Sequence, residues 1–261
     1  MRRHLEFFRR LGVLGVACCV AWLMTPASDA VALIADADSN IEEHTPTDIE
    51  GHLTRMQTRS RPNAGSGRQH ISYVRFDLSS FSPGDASGAL FTMVSKNSTN
   101  FNTGQLQAYG LNDVAGNTPQ NWVEATLDPN GVPIAGLSFN ATGDEVPGDG
   151  DPETQDLGTI GTTGAENLWA LGDLSGLNPN APGQVTSLGS SELDNFLNSR
   201  AGNLATILVV NLDGTERSGL WMTRETAGGL FPPQLFMVPE PTSLALSLLG
   251  VVGIGLNRRR R

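Results

Sequence analysis

The chain has 261 residues, with 27 Asp and Glu against 17 Lys and Arg, a formal net charge of −10 and only 6% aromatic residues. Nucleic acid and anionic lipid surfaces are bound through Lys and Arg that displace counterions, so an acidic chain is a poor partner for either. We therefore expect no nucleic-acid partner.

The first 32 residues have the pattern of a secretory signal peptide. Four arginines within positions 2–10 precede a 14-residue apolar run at 11–24, and small residues ending at Ala30 or Ala32 offer a cleavage site. A membrane anchor is the alternative, but 14 helical residues span only about 21 Å of a hydrocarbon core about 30 Å thick. A twin-arginine signal and a lipoprotein cysteine are weaker alternatives. The sequence thus predicts an exported protein.

Removal of this signal would also remove Cys18 and Cys19, the two cysteines of the chain. The remaining domain would then lack disulfides, a thiol nucleophile and a thiolate metal site, and its stability must come from a packed core. Without the signal and the C-terminal tail, residues 33–237 retain nine basic and 24 acidic residues, a net charge of about −15.

Residues 33–237 are predicted to form one all-β domain. The segment 70–81 alternates with a period of two, placing Val74, Phe76 and Leu78 on one face and Tyr73, Arg75 and Asp77 on the other. Further strands are predicted at 88–95, 104–111, 203–214, 219–225 and 233–238, and the apolar run at 203–214 is typical of burial on both faces. Eight to ten short strands with little helix indicate an antiparallel β-sandwich of jelly-roll type.

One helix is predicted at 190–200, where a serine cap precedes Leu193, Phe196 and Leu197 on one side. Between residues 121 and 183 the chain is rich in Gly, Pro and Asp, which predicts long surface loops.

A candidate calcium site lies in the acidic segment 144–156. Hard oxygen ligands on a glycine-bearing loop suit Ca²⁺, and the carboxylates are Asp144, Glu145, Asp149, Asp151, Glu153 and Asp156. The alternative is a solvated acidic loop that binds nothing. The segment 36–40 copies the Asp-x-Asp-x-Asn start of a calcium loop, but Ile41 stands where the sharp turn requires glycine.

The C-terminal tail, residues 238–261, combines three signals. Val238, Pro239, Glu240 and Pro241 are followed by an apolar run at 242–256 and by Arg258, Arg259, Arg260 and Arg261. As a helix the apolar run would be about 22 Å long, which is short for a membrane span. The arginines would stay on the cytoplasmic side and halt export of the chain there. An ordinary single-span anchor is the alternative.

This order of parts resembles the PEP-CTERM sorting signal of Gram-negative bacteria. The resemblance implies a processing protease of the exosortase type, a transient inner-membrane stage, and delivery to the cell surface or extracellular matrix.

The body, in turn, is similar to the DNRLRE-type domain, a β-sandwich of exported bacterial proteins related to carbohydrate-binding modules. The matching residues are Tyr73, Arg75, Phe76, Asp77, Tyr109, Trp122, Glu124, Arg224, Glu225, Pro233 and Leu235. Thr223 replaces the serine of the family pattern, and the 140–185 region is longer than that pattern.

The resemblance implies a glycan site, for which Trp122, Glu124 and Tyr109 are the candidates, since exposed rings stack on sugar faces. The alternative for each ring is burial in the core. Arg224 and Glu225 indicate a structural ion pair rather than a ligand clamp.

We expect no catalytic residues, because the sequence has no metal-binding histidine spacing, nucleophile elbow or phosphate loop. The favoured function is that of a non-catalytic surface or exopolysaccharide-matrix protein. A carbohydrate-binding module for an acidic polysaccharide is one alternative, and a polysaccharide lyase or glycosidase is another. For an acidic glycan, a bridging Ca²⁺ or a local arginine patch would have to overcome charge repulsion.

Overall fold

The alternating segment around Val74 forms a central strand of the larger of two main sheets. The computed structural model describes residues 31–60, 70–96, 106–143, 167–176, 182–211, 217–226 and 231–237. The strands within these ranges are β1 (Val31–Ile34), β2 (Ala37–Glu42), β3 (Met56–Ser60), β4 (His70–Asp77), β5 (Leu90–Val94), β6 (Leu106–Leu111), β7 (Ala125–Leu127), β8 (Pro133–Gly136), β9 (Leu168–Asp173), β10 (Ser175–Gly176), β11 (Val185–Leu188), β12 (Leu204–Asn211), β13 (Arg217–Trp221) and β14 (Gln234–Met237).

The strands form two main sheets and a hairpin, and their pairings are antiparallel. The smaller sheet has the order β1-β14-β5-β11-β10, and the larger sheet has the order β13-β3-β4-β12-β6-β9 with β2 also paired to β4. Strands β7 and β8 form the separate hairpin. This arrangement confirms the predicted all-β, antiparallel sandwich.

The main core lies between the two sheets. Val74 and Phe76 of β4 face Phe91 and Met93 of β5 within one buried cluster, and the rings of Phe76 and Phe91 meet edge to face at 6.0 Å. Edge-to-face packing is the favoured geometry of aromatic pairs, because the positive ring edge meets the negative face. The inward face of β4 is the face that its alternation predicted.

A second buried cluster covers the opposite face of the larger sheet. Tyr73 and Leu208 of that sheet pack there with Trp122, Leu137 and Phe139. The last three belong to residues 112–143, which we call the covering segment and which includes the β7–β8 hairpin and a short 3-10 turn at Phe139–Ala141. Because the larger sheet is buried on both faces, its strand β12 is apolar along nearly its whole length.

The helix α1 (Ser191–Ser199) begins where the sequence predicted it. The Ser190 hydroxyl accepts a hydrogen bond from the Leu193 amide at 3.0 Å, which satisfies one free N–H of the first turn. Leu193, Phe196 and Leu197 are buried against the main core. The apolar side of the helix thus packs into the main core, where Phe196 meets the Trp169 ring of β9.

Three local predictions differ from the structure. The region 121–183, predicted as long surface loops, contains strands β7 to β10 and buries Trp122, Leu137 and Phe139. Strand β13 ends at Trp221 instead of continuing to 225, because the chain turns at Thr223, whose amide donates to the Thr226 hydroxyl at 2.8 Å. Strand β2 was not predicted, since its buried residues include the polar side chains Asp38, Ser39 and Asn40.

Residues 1–30 of the predicted signal peptide, the acidic loop at 144–156 and the apolar C-terminal run lie outside the described residues. Val31 and Ala32, the last two residues of that predicted segment, belong to strand β1. Within the ranges that are described, no helix has both the length and the apolar character to cross a membrane.

Candidate functional site

Six charged side chains from four separate parts of the chain meet beside strand β2. They lie on the start of β2, on β4, on the covering segment and on the turn after β13, and we call them the ionic cluster: Asp36, Asp38, Arg75, Glu124, Arg224 and Glu225. Charged groups are seldom buried unless they are paired, so the partners of each member of the ionic cluster determine what it can do.

Arg75 forms one half of the ionic cluster. Its guanidinium donates to both carboxylate oxygens of Asp36, at 2.7–3.1 Å, and to the backbone carbonyl of Trp122. The guanidinium carbon also lies 5.1 Å from the centre of the Trp122 ring, within the range of a cation–π contact. Arg75 therefore attaches the covering segment to β2 and β4.

Arg224 forms the other half. Its Nη1 donates to Glu124 Oε2 at 3.0 Å and to the carbonyl of Asp36, and its backbone amide donates to Asp38 Oδ2 at 2.9 Å. The amide of Asp38 in turn donates to Glu124 Oε1 at 2.9 Å. The structural ion pair of Arg224 is therefore made with Glu124, which is 100 residues away, and its role is to join distant segments.

Burial changes the protonation of this half of the ionic cluster. Desolvation is the largest influence on Glu124 and raises its pKa from 4.5 to about 7, with the neighbouring charge of Glu225 acting in the same direction. Desolvation likewise raises the pKa of Asp38 well above its usual range. Arg224 lowers both pKa values and Arg75 lowers that of Glu124, but by smaller amounts, so the guanidinium groups do not compensate for the burial of the adjacent carboxyl groups.

We expect the protein, kept free of divalent cations by a chelator, to be more stable at about pH 5 than at about pH 8. The folded state disfavours the charged form of Glu124, so stability is greatest below the unfolded pKa of 4.5 and is lost as the pH rises towards the folded pKa of about 7. The loss from Glu124 alone is at most about 3 kcal/mol. Urea unfolding across this range measures it.

The matched control for this prediction is Glu124→Gln, which keeps the shape of the side chain and removes its titration. In that variant the difference in unfolding free energy between the two pH values should shrink. An undiminished difference would show that Glu124 is not its source.

A polar pocket of about 200 Å³ lies beside Asn40 of strand β2. It is lined by Asn40, Glu42, His44, Glu50, Arg55, Gln57, Arg59 and His70. His70 Nε2 lies 3.2 Å from Glu42 Oε1, and Asn40 Nδ2 donates to Glu50 Oε2. Burial raises the pKa of Glu50. The pocket is thus lined by basic and by acidic side chains, which offer hydrogen-bond donors and acceptors.

The two aromatic rings that the sequence offered for glycan binding, Trp122 and Tyr109, are buried, whereas stacking on a sugar requires an exposed ring. Trp122 is 4% exposed and Tyr109 is 8% exposed, and the Trp122 indole donates to Thr206 Oγ1 at 3.1 Å. A ring must expose a face to stack on a sugar, and one face of Trp122 is covered by Arg75. Both rings are buried, as the alternative interpretation expected, and Glu124 belongs to the ionic cluster.

Other candidates cannot be placed. The proposed calcium ligands Asp144, Glu145, Asp149, Asp151, Glu153 and Asp156 lie outside the described residues, as do Val238 to Pro241 and Arg258 to Arg261. Within the described ranges, two other groups have ligand atoms close enough for one ion: Asp38, Glu124 and Glu225, and Glu42, Glu50 and His70.

Sequence comparison gives a result for the tail. Residues 238–261 match the family model of the PEP-CTERM protein-sorting motif. The chain therefore carries a signal for export and surface sorting, of the kind that exosortase, a processing enzyme, recognises. No curated protein matches the chain. The resemblance of the body to DNRLRE-type domains stays a prediction.

Proposed function

We propose that this protein is exported, processed at its C-terminal tail by an exosortase-type protease, and retained as a non-catalytic component of the cell surface or exopolysaccharide matrix. The observation that carries the proposal is the sorting motif at 238–261. It begins directly after β14 ends at Met237, so the tail can be removed without loss of a strand.

The geometry of the ionic cluster supports a structural role for the body. Hydrolysis of a glycan by paired carboxylates requires both groups to reach the glycosidic bond in an open cleft. Asp38 is 0% exposed, and Glu124 is committed to Asp38 and Arg224. A lyase or glycosidase would have to use residues elsewhere, and turnover on a panel of polysaccharides is the measurement that would reveal one.

The proposal is tested by the mass of the mature C-terminus. The full chain is expressed in a host that has the sorting machinery, beside the variant Glu240→Ala. We expect the wild-type protein to lose its apolar run and arginines and the variant to keep them. A tail that is intact in both proteins would identify a plain membrane-anchored domain and overturn the proposal.

Polysaccharide binding is a second candidate function, and the polar pocket supports it. Asn40, Gln57 and the carboxylates there can bond sugar hydroxyls, while Arg55 and Arg59 supply two of the nine basic residues of the body. A local pair of arginines is what an acidic domain needs to attract an anionic glycan.

Affinity electrophoresis in gels that contain an acidic or a neutral polysaccharide tests this second function. Binding at the pocket predicts retardation in the acidic gel that Arg55→Gln weakens. Arg200→Gln is the matched control, since it removes the same charge from an arginine that pairs with Asp113 outside the pocket. Equal retardation of both variants, or none with the wild type, would argue against the pocket.

A further inference from the structure

We propose that Asp38, Glu124 and Glu225 form a binding site for one calcium ion. One carboxylate oxygen from each residue lies within 4.8 Å of the other two. Calcium binds oxygen at 2.3–2.6 Å, so two oxygens on the same ion can be at most about 5 Å apart. The three carboxylates are therefore already close enough to share an ion.

Two of these carboxylates have an oxygen that is left without a partner. Asp38 is completely buried, and its Oδ1 accepts no hydrogen bond, whereas its Oδ2 is held by the Arg224 amide. The Oε2 atom of Glu225 is likewise buried and without a partner. Such atoms are rare in folded proteins, because each loses its hydration without compensation. A cation between them would satisfy both.

The charges of the ionic cluster would also be balanced by a divalent cation. Arg75 is engaged with Asp36, which leaves Arg224 as the cationic partner of three carboxylates. When all three are ionised, the remaining charge is −2, which one Ca²⁺ balances. The absence of nitrogen and sulfur ligands disfavours transition metals. Mg²⁺ demands near-ideal octahedral geometry, whereas Ca²⁺ accepts irregular sets of carboxylates.

The second group of candidate ligands is less suited to a metal. Glu42 pairs with His70, and Glu50 accepts from Asn40, so both of its carboxylates have polar partners. In the first group Glu124 also has partners, but Asp38 and Glu225 each keep a buried carboxylate oxygen without one. No carboxylate oxygen of the second group is buried without a partner in the described structure. The difference between the two groups makes Glu42 a useful control.

A calcium ion at Asp38, Glu124 and Glu225 would join strand β2, the covering segment and the turn after β13. The hydrogen bonds among these parts span 86 to 188 residues of sequence. Extracellular modules commonly bind Ca²⁺ with dissociation constants of about 10⁻⁴ to 10⁻³ M, weak enough to sense the external medium. The ion would thus make the packing of the covering segment depend on external calcium.

The test measures thermal unfolding of the exported protein, purified from its host and freed of metal by a chelator. Adding about 10 mM Ca²⁺ should raise the Tm by about 5–10 °C, and the same concentration of Mg²⁺ should raise it much less. Calorimetric titration should give one ion bound through this site. No rise in Tm with Ca²⁺ would overturn the proposal, and an equal rise with Mg²⁺ would overturn the choice of ion.

Variants assign the site. Glu225→Gln preserves shape, lies at a turn, and should weaken Ca²⁺ binding at least tenfold while leaving the Tm in chelator unchanged or higher. Glu124→Gln gives the same test if the first variant does not fold. Glu42→Gln, and the pair Asp149→Asn with Asp151→Asn in the acidic loop, should keep the calcium-dependent rise. If the loop variants lose the rise and Glu225→Gln retains it, calcium binds in the loop and the proposal is wrong.

Discussion

Replacing Trp221 with alanine should lower the free energy of unfolding by about 3–5 kcal/mol. Trp221 is 0% exposed and is among the largest fully buried side chains of the described chain. It ends strand β13 and lies in the main core between the sheets. Its indole also donates to Thr58 Oγ1 at 3.0 Å, so truncation removes a hydrogen bond as well as a large apolar volume.

Urea unfolding monitored by circular dichroism measures this loss, and Trp169→Ala is the matched control. Trp169 lies on edge strand β9, is only partly buried, and donates to Glu192 Oε2 at 3.0 Å on the exposed side of α1. We expect its removal to cost less than half as much as that of Trp221, because less apolar surface is lost. Equal losses would show that Trp221 does not organise the core.

Replacing Arg75 with alanine should cost about 2–4 kcal/mol, since removal of one partner of a largely buried ion pair leaves the other uncompensated. The Arg75 side chain is 15% exposed and serves Asp36, the Trp122 carbonyl and the Trp122 ring together. Its loss would also free the covering segment. We therefore expect faster amide hydrogen exchange around Trp122 than in the main core.

Arg75→Lys separates the charge from the geometry. A lysine keeps the positive charge but lacks the planar fork that donates to both Asp36 oxygens, so it should recover only part of the lost stability. A double-mutant cycle with Asp36→Ala isolates the pair. If Arg75→Ala lowers the free energy of unfolding by less than about 1 kcal/mol, the Arg75–Asp36 pair contributes no more than a surface salt bridge. The interpretation that it holds the covering segment in place would then be wrong.

The parts of the fold that sequence predicted are those determined by local pattern. Strand β4 follows from the alternation of Val74 and Phe76 with Tyr73 and Arg75, and helix α1 follows from Ser190 and three apolar residues at helical spacing. In both elements, the face on which a residue lies follows from its spacing to neighbours within four positions, and this spacing can be read from a single sequence.

The ionic cluster could not be predicted in the same way. Strand β2 buries Asp38, Ser39 and Asn40, and polar residues in a short segment resemble a loop. What makes their burial acceptable is contact with residues 86 and 186 positions away, which no local pattern reveals. The same limit applies to Trp122: sequence identified an aromatic ring beside Glu124, but not that Arg75 covers it.

Because β14 is a strand of the smaller sheet, that sheet cannot be completed until the end of the body is available. Gln234–Met237 lies between β1 and β5 and pairs with both, so Val31 at one end of the body is opposite Met237 at the other. During export the N-terminal strands emerge first, and β1 must wait for nearly the whole body before its partner arrives. Such long-range closure is slow. The sandwich can therefore be completed only after the chain has been exported as far as Met237, the residue directly before the sorting motif.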